Sequence, residues 1–243
     1  MDVFLTTWKT NFLPPFLEPL LYLVAMGLGF GVLIGQVVYE GQFIDYIKFL
    51  APGLIAISIM NSAFFECTYG SYVRMHYQKT FDAIIATPLS IEDVITGEIL
   101  WGATKSLINS LIVLAVVIVA GLASFPGLIV IPFIAFLTGL MFASLAMIFT
   151  AIIPNIDSFN YPFFLLITPM FLFGGTFFPL SVLPSWGQTT ALLLPLTHTT
   201  NLIRDLSFNM LLPVDLIGLL YVALLTVITF FVSVHLMKKR LIK

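Results

Sequence analysis

The sequence predicts an all-α integral membrane protein with six spanning helices, and three observations predict it. Of 243 residues, 60% are hydrophobic and only 9% are charged, against about 25% charged in an ordinary soluble domain. Mean hydropathy is +1.09, and a soluble chain of this length could not hide so much apolar surface from water. The apolar residues also fall into runs of about 20, the length a helix needs to cross a hydrocarbon core ~30 Å thick.

The runs cover residues 20–38, 49–69, 99–123, 128–153, 159–178 and 216–237. A seventh stretch, 180–196, is broken by Pro184, Gly187 and Pro195. It is too interrupted to span and reads as a re-entrant or interfacial element before the last span. Such backbone is tolerated in a membrane only where protein or water covers it. Ahead of the first run, Phe4, Leu5, Trp8 and Phe12 recur at helical spacing with Lys9 and Asn11 among them. That pattern suits a short helix lying in the membrane interface, ended by Pro14 and Pro15. The expected organisation is one transmembrane domain over 1–243: an interfacial helix (1–18), a six-span bundle (19–238) and a basic tail (239–243). No cleavable leader is expected, because Asp2 and a single lysine precede a first run long enough to span.

Basic residues set the orientation. Lys9, Arg74, Lys79, Lys105, Lys238, Lys239, Arg240 and Lys243 fall on one side of a six-span arrangement, and only Lys48 and Arg204 on the other. Both termini are therefore expected in the cytoplasm.

Several chemistries are excluded. The chain has no G-x-x-x-x-G-K-[ST] phosphate loop, so it does not bind ATP in that manner. His76, His198 and His235 are scattered, and no His, Cys and carboxylate cluster has metal-ligand spacing. Cys67 is the only cysteine, so an internal disulfide is impossible. Acidic pairs within spans, which an intramembrane protease would need, are absent. No nucleic-acid partner is indicated.

The segment from Gly70 to Glu98 is the most informative polar stretch. Phe81, Ile84 and Ile85 follow i, i+3, i+4 spacing, with Lys79, Asp82 and Ala83 off the stripe. This predicts a short amphipathic helix on the cytoplasmic side, stopped by Pro88. Ser90 then caps a new helix whose first turn carries Glu92 and Asp93, where the helix dipole favours acids. The amphipathic helix either rests on lipid headgroups or forms a docking knob for a cytoplasmic partner.

Gly27, Gly31 and Gly35 repeat the G-x-x-x-G spacing that lets membrane helices approach closely, within one subunit or between two. Glu66 lies inside the second run and Lys105 at similar depth on the third. A charge at mid-membrane is costly enough to require a partner, so the two are expected to form a buried pair.

The runs Phe65-Glu66-Cys67-Thr68-Tyr69-Gly70 and Phe81-Asp82-Ala83-Ile84, with Arg74, Thr87-Pro88-Leu89-Ser90, Gly97-Glu98 and Lys105, resemble type-2 ABC exporter permeases. Within that family the pattern is similar to the nodulation-factor-exporter branch. Leu50-Ala51-Pro52-Gly53-Leu54 resembles the family's entry to its second span. Phe173-Gly174-Gly175-Thr176-Phe177-Phe178-Pro179-Leu180, followed by Leu183-Pro184 and Leu194-Pro195-Leu196-Thr197, resembles its fifth span and external hairpin. The resemblance implies a permease subunit in the cell (inner) membrane of a bacterium or archaeon, working as a homodimer or beside a similar permease. Two copies of a separate ABC ATPase would dock on Lys79, Phe81, Asp82, Ile84 and Ile85, with Phe81 the expected anchor. ATP and Mg would bind in that partner, with no cofactor on this chain. Expected cargo is amphipathic or lipid-linked: a lipo-oligosaccharide, a glycan or a drug. Gly27, Gly31 and Gly35 are expected to meet Gly174 and Gly175 near a two-fold axis. Phe171, Phe173, Phe177 and Phe178 are the aromatic residues expected near a cargo path. The alternative is a self-contained secondary transporter or channel, for which only Glu66 and Lys105 offer buried charges.

Overall fold

The computed structural model describes residues 17–242. Among them, six helices are long and apolar enough to cross a membrane. The described residues open with α1 (Leu17–Ile34), followed by a β-hairpin of β1 (Gln36–Tyr39) and β2 (Gln42–Asp45). The long α2 (Tyr46–Tyr77) returns, the short α3 (Thr80–Ile85) follows, and α4 (Ile91–Val119) and α5 (Gly127–Ile152) cross next. Then come α6 (Ile156–Phe173), the paired short helices α7 (Ser185–Leu192) and α8 (Pro195–Phe208), and α9 (Pro213–Leu241). The expected interfacial helix over 1–18 lies outside the described residues except for Leu17 and Glu18, which begin α1; Lys243 also lies outside them.

Successive spans alternate, so the bundle has two distinct ends. One carries α3, the α5–α6 turn and the end of α9, joined where Lys238 bonds Glu92 and where the Tyr72 hydroxyl donates to Pro154 O at 2.7 Å. The other carries the β-hairpin, the α4–α5 loop and α7–α8, joined where Ser124 N donates to Ser207 O at 2.8 Å.

Three expected boundaries move. The first run stops at Ile34, not at residue 38, because Gly35 adopts φ +67° and Glu40 and Gly41 form a left-handed turn. Val37 and Val38, β-branched residues suited to strands, then pair with Ile44 and Phe43. The fifth run ends at Phe173 rather than 178, since Gly175 takes φ +75° and reverses the chain. The second run continues to Tyr77, about 48 Å at 1.5 Å per residue. That exceeds the ~30 Å core, so Arg74 rides on α2 as it leaves the membrane and not in a loop.

The core is centred on α2, whose Phe49, Leu50, Ile55, Ile59 and Phe64 are fully buried. Lipid tails are as apolar as leucine, so helix association in a membrane relies on close packing and polar contacts. On α4 a Cβ at Gly102 would sit 2.4 Å from Cys67 Sγ of α2, and one at Gly139 of α5 would sit 2.2 Å from Ser106 Oγ of α4. These two contacts draw α2, α4 and α5 together. By contrast α1 and α6 lie at the edge with most of their surface exposed.

Candidate functional site

A cluster of acids and bases sits where α2 and α4 approach the α3 end. Glu66, Gly70 and Arg74 succeed one another at four-residue steps on α2, so they share one face. A Cβ at Gly70 would come 3.0 Å from Glu66 Oε1. The bare glycine thus leaves room for Arg74 Nη1 to reach that carboxylate at 2.8 Å. On α4, Glu98, Trp101 and Lys105 follow i, i+3, i+7 and face α2. Lys105 Nζ donates to Glu66 Oε2 at 2.6 Å and Trp101 Nε1 donates to Glu66 Oε1 at 3.0 Å. Arg74 grips Glu98 through Nε (2.9 and 3.0 Å) and Nη2 (2.6 Å), and the Ser71 hydroxyl donates to Glu98 at 2.5 Å.

The expected Glu66 and Lys105 pair is therefore part of a four-charge network of two acids and two bases. Each carboxylate has more than one donor, which is what allows charges to lie this deep. The fuller network was legible in the residue spacing: Arg74 and Glu98 stand two turns from Glu66 and Lys105 on the same helix faces.

Next to the network, α3 forms where the resemblance places a coupling helix. Lys79 enters it at φ 55°. Ser90 and Asp93 close a reciprocal cap on α4: Asp93 N donates to Ser90 Oγ (3.2 Å) and Ser90 N to Asp93 Oδ2 (2.9 Å). Phe81, expected as the anchor for a partner, is fully buried within this chain, so that expectation is corrected. The apolar stripe turns inward: Phe81 joins the bundle core, and Ile84 and Ile85 are half-buried against it. The outward face of α3 consists of Asp82, Ala83 and Ala86, with Lys79 exposed just before it.

The structure separates the five glycines. Gly27 packs on Ile47 of α2, where a Cβ would lie 2.9 Å away, whereas Gly31 and Gly35 face open space. Gly174 and Gly175 are covered by the chain's own Leu196 and Leu180. Of the four phenylalanines, Phe171 and Phe177 have ring centroids 5.0 Å apart, and Tyr22 of α1 lies 5.5 and 6.1 Å from them. Phe173 is exposed at the end of α6, and Phe178 is half-buried in the turn beyond it.

At the opposite end the structure reveals a site that the sequence reading missed. Arg204 of α8 is fully buried. Its Nε donates to Phe49 O (3.1 Å) and its Nη2 to Gly175 O (2.9 Å), and its guanidinium lies 3.8 Å from the Phe49 ring centroid. Beside it the Tyr39 hydroxyl donates to Asp205 Oδ1 at 2.9 Å. Counting Arg204 as an exposed outer charge concealed this; its Thr200, Arg204 and Ser207 stripe at i, i+4, i+7 was the available signal.

A six-span helical bundle with a short amphipathic helix stapled beside a buried charge network defines a polytopic membrane protein. The chain matches the ABC-2 type transporter family over residues 2–208 and belongs to it. It is similar to nodulation protein J of Rhizobium meliloti (strain 1021), 38% identical over 227 residues covering 92% of this chain and 84% of that protein. Nodulation protein J of Sinorhizobium fredii (strain NBRC 101917 / NGR234) is 39% identical over 228 residues, covering 93% and 84%. The inner membrane transport permease YadH of Escherichia coli (strain K12) is 22% identical over 195 residues, covering 80% and 74%. The chain is thus a multi-pass membrane subunit of an ABC transporter on the nodulation-factor-exporter-like branch.

Proposed function

We propose that this subunit exports amphipathic or lipid-linked cargo, driven by a separate ABC ATPase that pushes on α3. The observation that carries the reading is the way α3 is mounted. It offers Asp82, Ala83 and Ala86 outward while Phe81 fixes it to the bundle, and the Ser90 cap leads directly into the 29-residue α4. A push on the outward face would therefore travel along a stiff helix.

Orientation follows from charge. Arg74, Lys79, Lys238, Lys239 and Arg240 lie at the α3 end, against Lys48 and Arg204 at the other. Both termini are then cytoplasmic, and α7–α8 faces outward in a bacterial or archaeal cytoplasmic membrane. The relative named as an inner membrane transport permease supports that location. ATP and Mg bind in two partner ATPases, with no cofactor on this chain. The working assembly is a homodimer, and the open surface at Gly31 and Gly35 offers a place for close helix approach. A lipo-oligosaccharide, glycan or drug would travel between the two bundles, past the Phe171 and Phe177 aromatic edge.

The test places a charge on the outward face without touching the core. Ala83→Arg should fold and insert like the wild type yet lose most copurification with the ATPase. Retention of the ATPase and of full ATP-driven export by that variant would rule out docking on α3.

A further inference from the structure

Three fully buried hydroxyls at the hairpin end, those of Thr176, Thr197 and Thr200, have no hydrogen-bond partner among the described residues. The fold brings them to one junction. Thr197, Thr200 and Arg204 follow i, i+3, i+7 on α8 and share a face. Both flanks of that stripe meet the 174–176 turn that follows α6. A Cβ at Gly174 would lie 3.1 Å from Leu196 Cδ2, and one at Gly175 would lie 3.9 Å from Asn201 Oδ1. Arg204, at the end of the stripe, reaches the same turn, donating through Nη2 to Gly175 O at 2.9 Å and to Thr176 O at 3.4 Å. Thr197 and Thr200 lie inside this contact and so face the turn that carries Thr176. On its other side the turn packs on α2, where a Cβ at Gly53 would come 2.7 Å from the Thr176 methyl carbon.

A hydroxyl buried without a partner is destabilising, and a lipid environment supplies no water to relieve it. Three such groups around one junction have a common remedy, since a buried water bonds about three otherwise unsatisfied polar groups. We propose that Thr176, Thr197 and Thr200 form an internal water site on the seam between α8 and the 174–176 turn. The ligand chemistry follows from the neighbours. The Arg204 charge disfavours a cation there, and the Gly175 and Thr176 carbonyl oxygens disfavour an anion. Water is neutral and both donates and accepts, as three hydroxyls require.

Bound water would also add a dipole beside Arg204, whose bonds to Phe49 O, Gly175 O and Thr176 O all go to neutral carbonyls. The site goes beyond the exporter reading and does not depend on it. Under that reading a wet seam lets α8 shift against the turn at the end away from α3 without stranding dry hydroxyls.

Threonine-to-valine changes test this, because they keep the side-chain shape and remove the hydroxyl. Thr176→Val and Thr200→Val should each lower the unfolding midpoint of the full chain in detergent, by about 2–4 °C for one lost hydrogen bond in a protein of this size. The double variant should lose clearly less than the sum, because the first change already releases the water that both hydroxyls hold. Dry hydroxyls give the opposite sign, so midpoints that stay level or rise on valine substitution overturn the site. Strictly additive losses overturn it as well, since they mean that each hydroxyl is bonded separately. A second measurement uses the wild type and serves if a valine variant folds poorly. A brief X-ray pulse in isotope-labelled water generates hydroxyl radicals where water is bound. Leu196, fully buried beside the junction, should take up the labelled oxygen, whereas the equally buried Phe64 should not. An unlabelled Leu196 overturns the site. ATPase copurification plays no part in either readout, so failure here and failure of the exporter reading are distinguishable.

Discussion

The two ends of the bundle solve the same electrostatic problem in different ways. At the α3 end Glu66, Arg74, Glu98 and Lys105 are paired acid to base, and every contact runs within α2 or between α2 and α4. At the hairpin end Arg204 is held by carbonyls, and the adjacent Asp205 accepts from the Tyr39 hydroxyl. Opposite charges in fixed contact make a rigid joint between two long helices. A cation on neutral carbonyls joins short segments instead. Under the proposed exporter reading, the rigid joint lies at the end that receives force.

The largest effect should come from breaking the rigid joint. Glu66→Gln removes the shared partner of Lys105 and one partner of Arg74, and an uncompensated buried charge typically costs about 3–5 kcal/mol. Lys105→Met should cost less, because Arg74 and Trp101 still hold Glu66. The double variant Glu66→Gln with Lys105→Met should recover part of the loss. Thermal unfolding in detergent reads all three; strictly additive losses would show that the two residues act independently.

Arg204→Met should rank second. It leaves the carbonyls of Gly175 and Thr176 without their donor, at roughly 1–3 kcal/mol for a buried acceptor left unmatched, partly offset because the guanidinium no longer has to be desolvated. Arg204→Lys should not restore stability, since one ammonium cannot copy a planar fork reaching both Phe49 O and Gly175 O. If lysine substitutes freely, the site needs only a charge, and the contrast between the two ends weakens.

Much of this architecture was legible in the sequence, and the gaps have physical causes. Apolar run length located all six spans, because hydrocarbon thickness sets that length directly. It could not place their ends, which Gly35 and Gly175 set through positive φ while their apolar neighbours continue. The amphipathic stripe of α3 was visible, but a stripe does not say whether it faces lipid, partner or its own bundle; Phe81 faces the bundle. Repeated glycines drew attention to α1, whereas the closest approaches between spanning helices are at isolated Gly102 and Gly139, whose importance depends on what the facing helix carries. Arg204 was hidden because net charge by side treats an arginine as solvated unless a partner is visible, and its partners are carbonyls distant in sequence.

The smallest effect belongs to an ion pair that ties α9 to the α3 end, Lys238 with Glu92, and it sharpens the comparison by being exposed. Nearly half of each side chain is open to solvent, so the pair should be worth at most about 1 kcal/mol. Lys238→Gln should therefore lower the unfolding temperature only slightly, and added salt near 1 M, where the Debye length is about 3 Å, should erase the difference from wild type. Exchanging the charges, with Glu92→Lys and Lys238→Glu together, tests what else holds the pair. The exchange keeps an ion pair but places a cation at the first turn of α4 and an anion at the last turn of α9, each opposed by its helix dipole by roughly 0.3–1 kcal/mol. The exchanged protein should thus be less stable than the wild type, and no more stable than Lys238→Gln. Full recovery on exchange would mean that the pair alone matters and that the helix ends contribute nothing there.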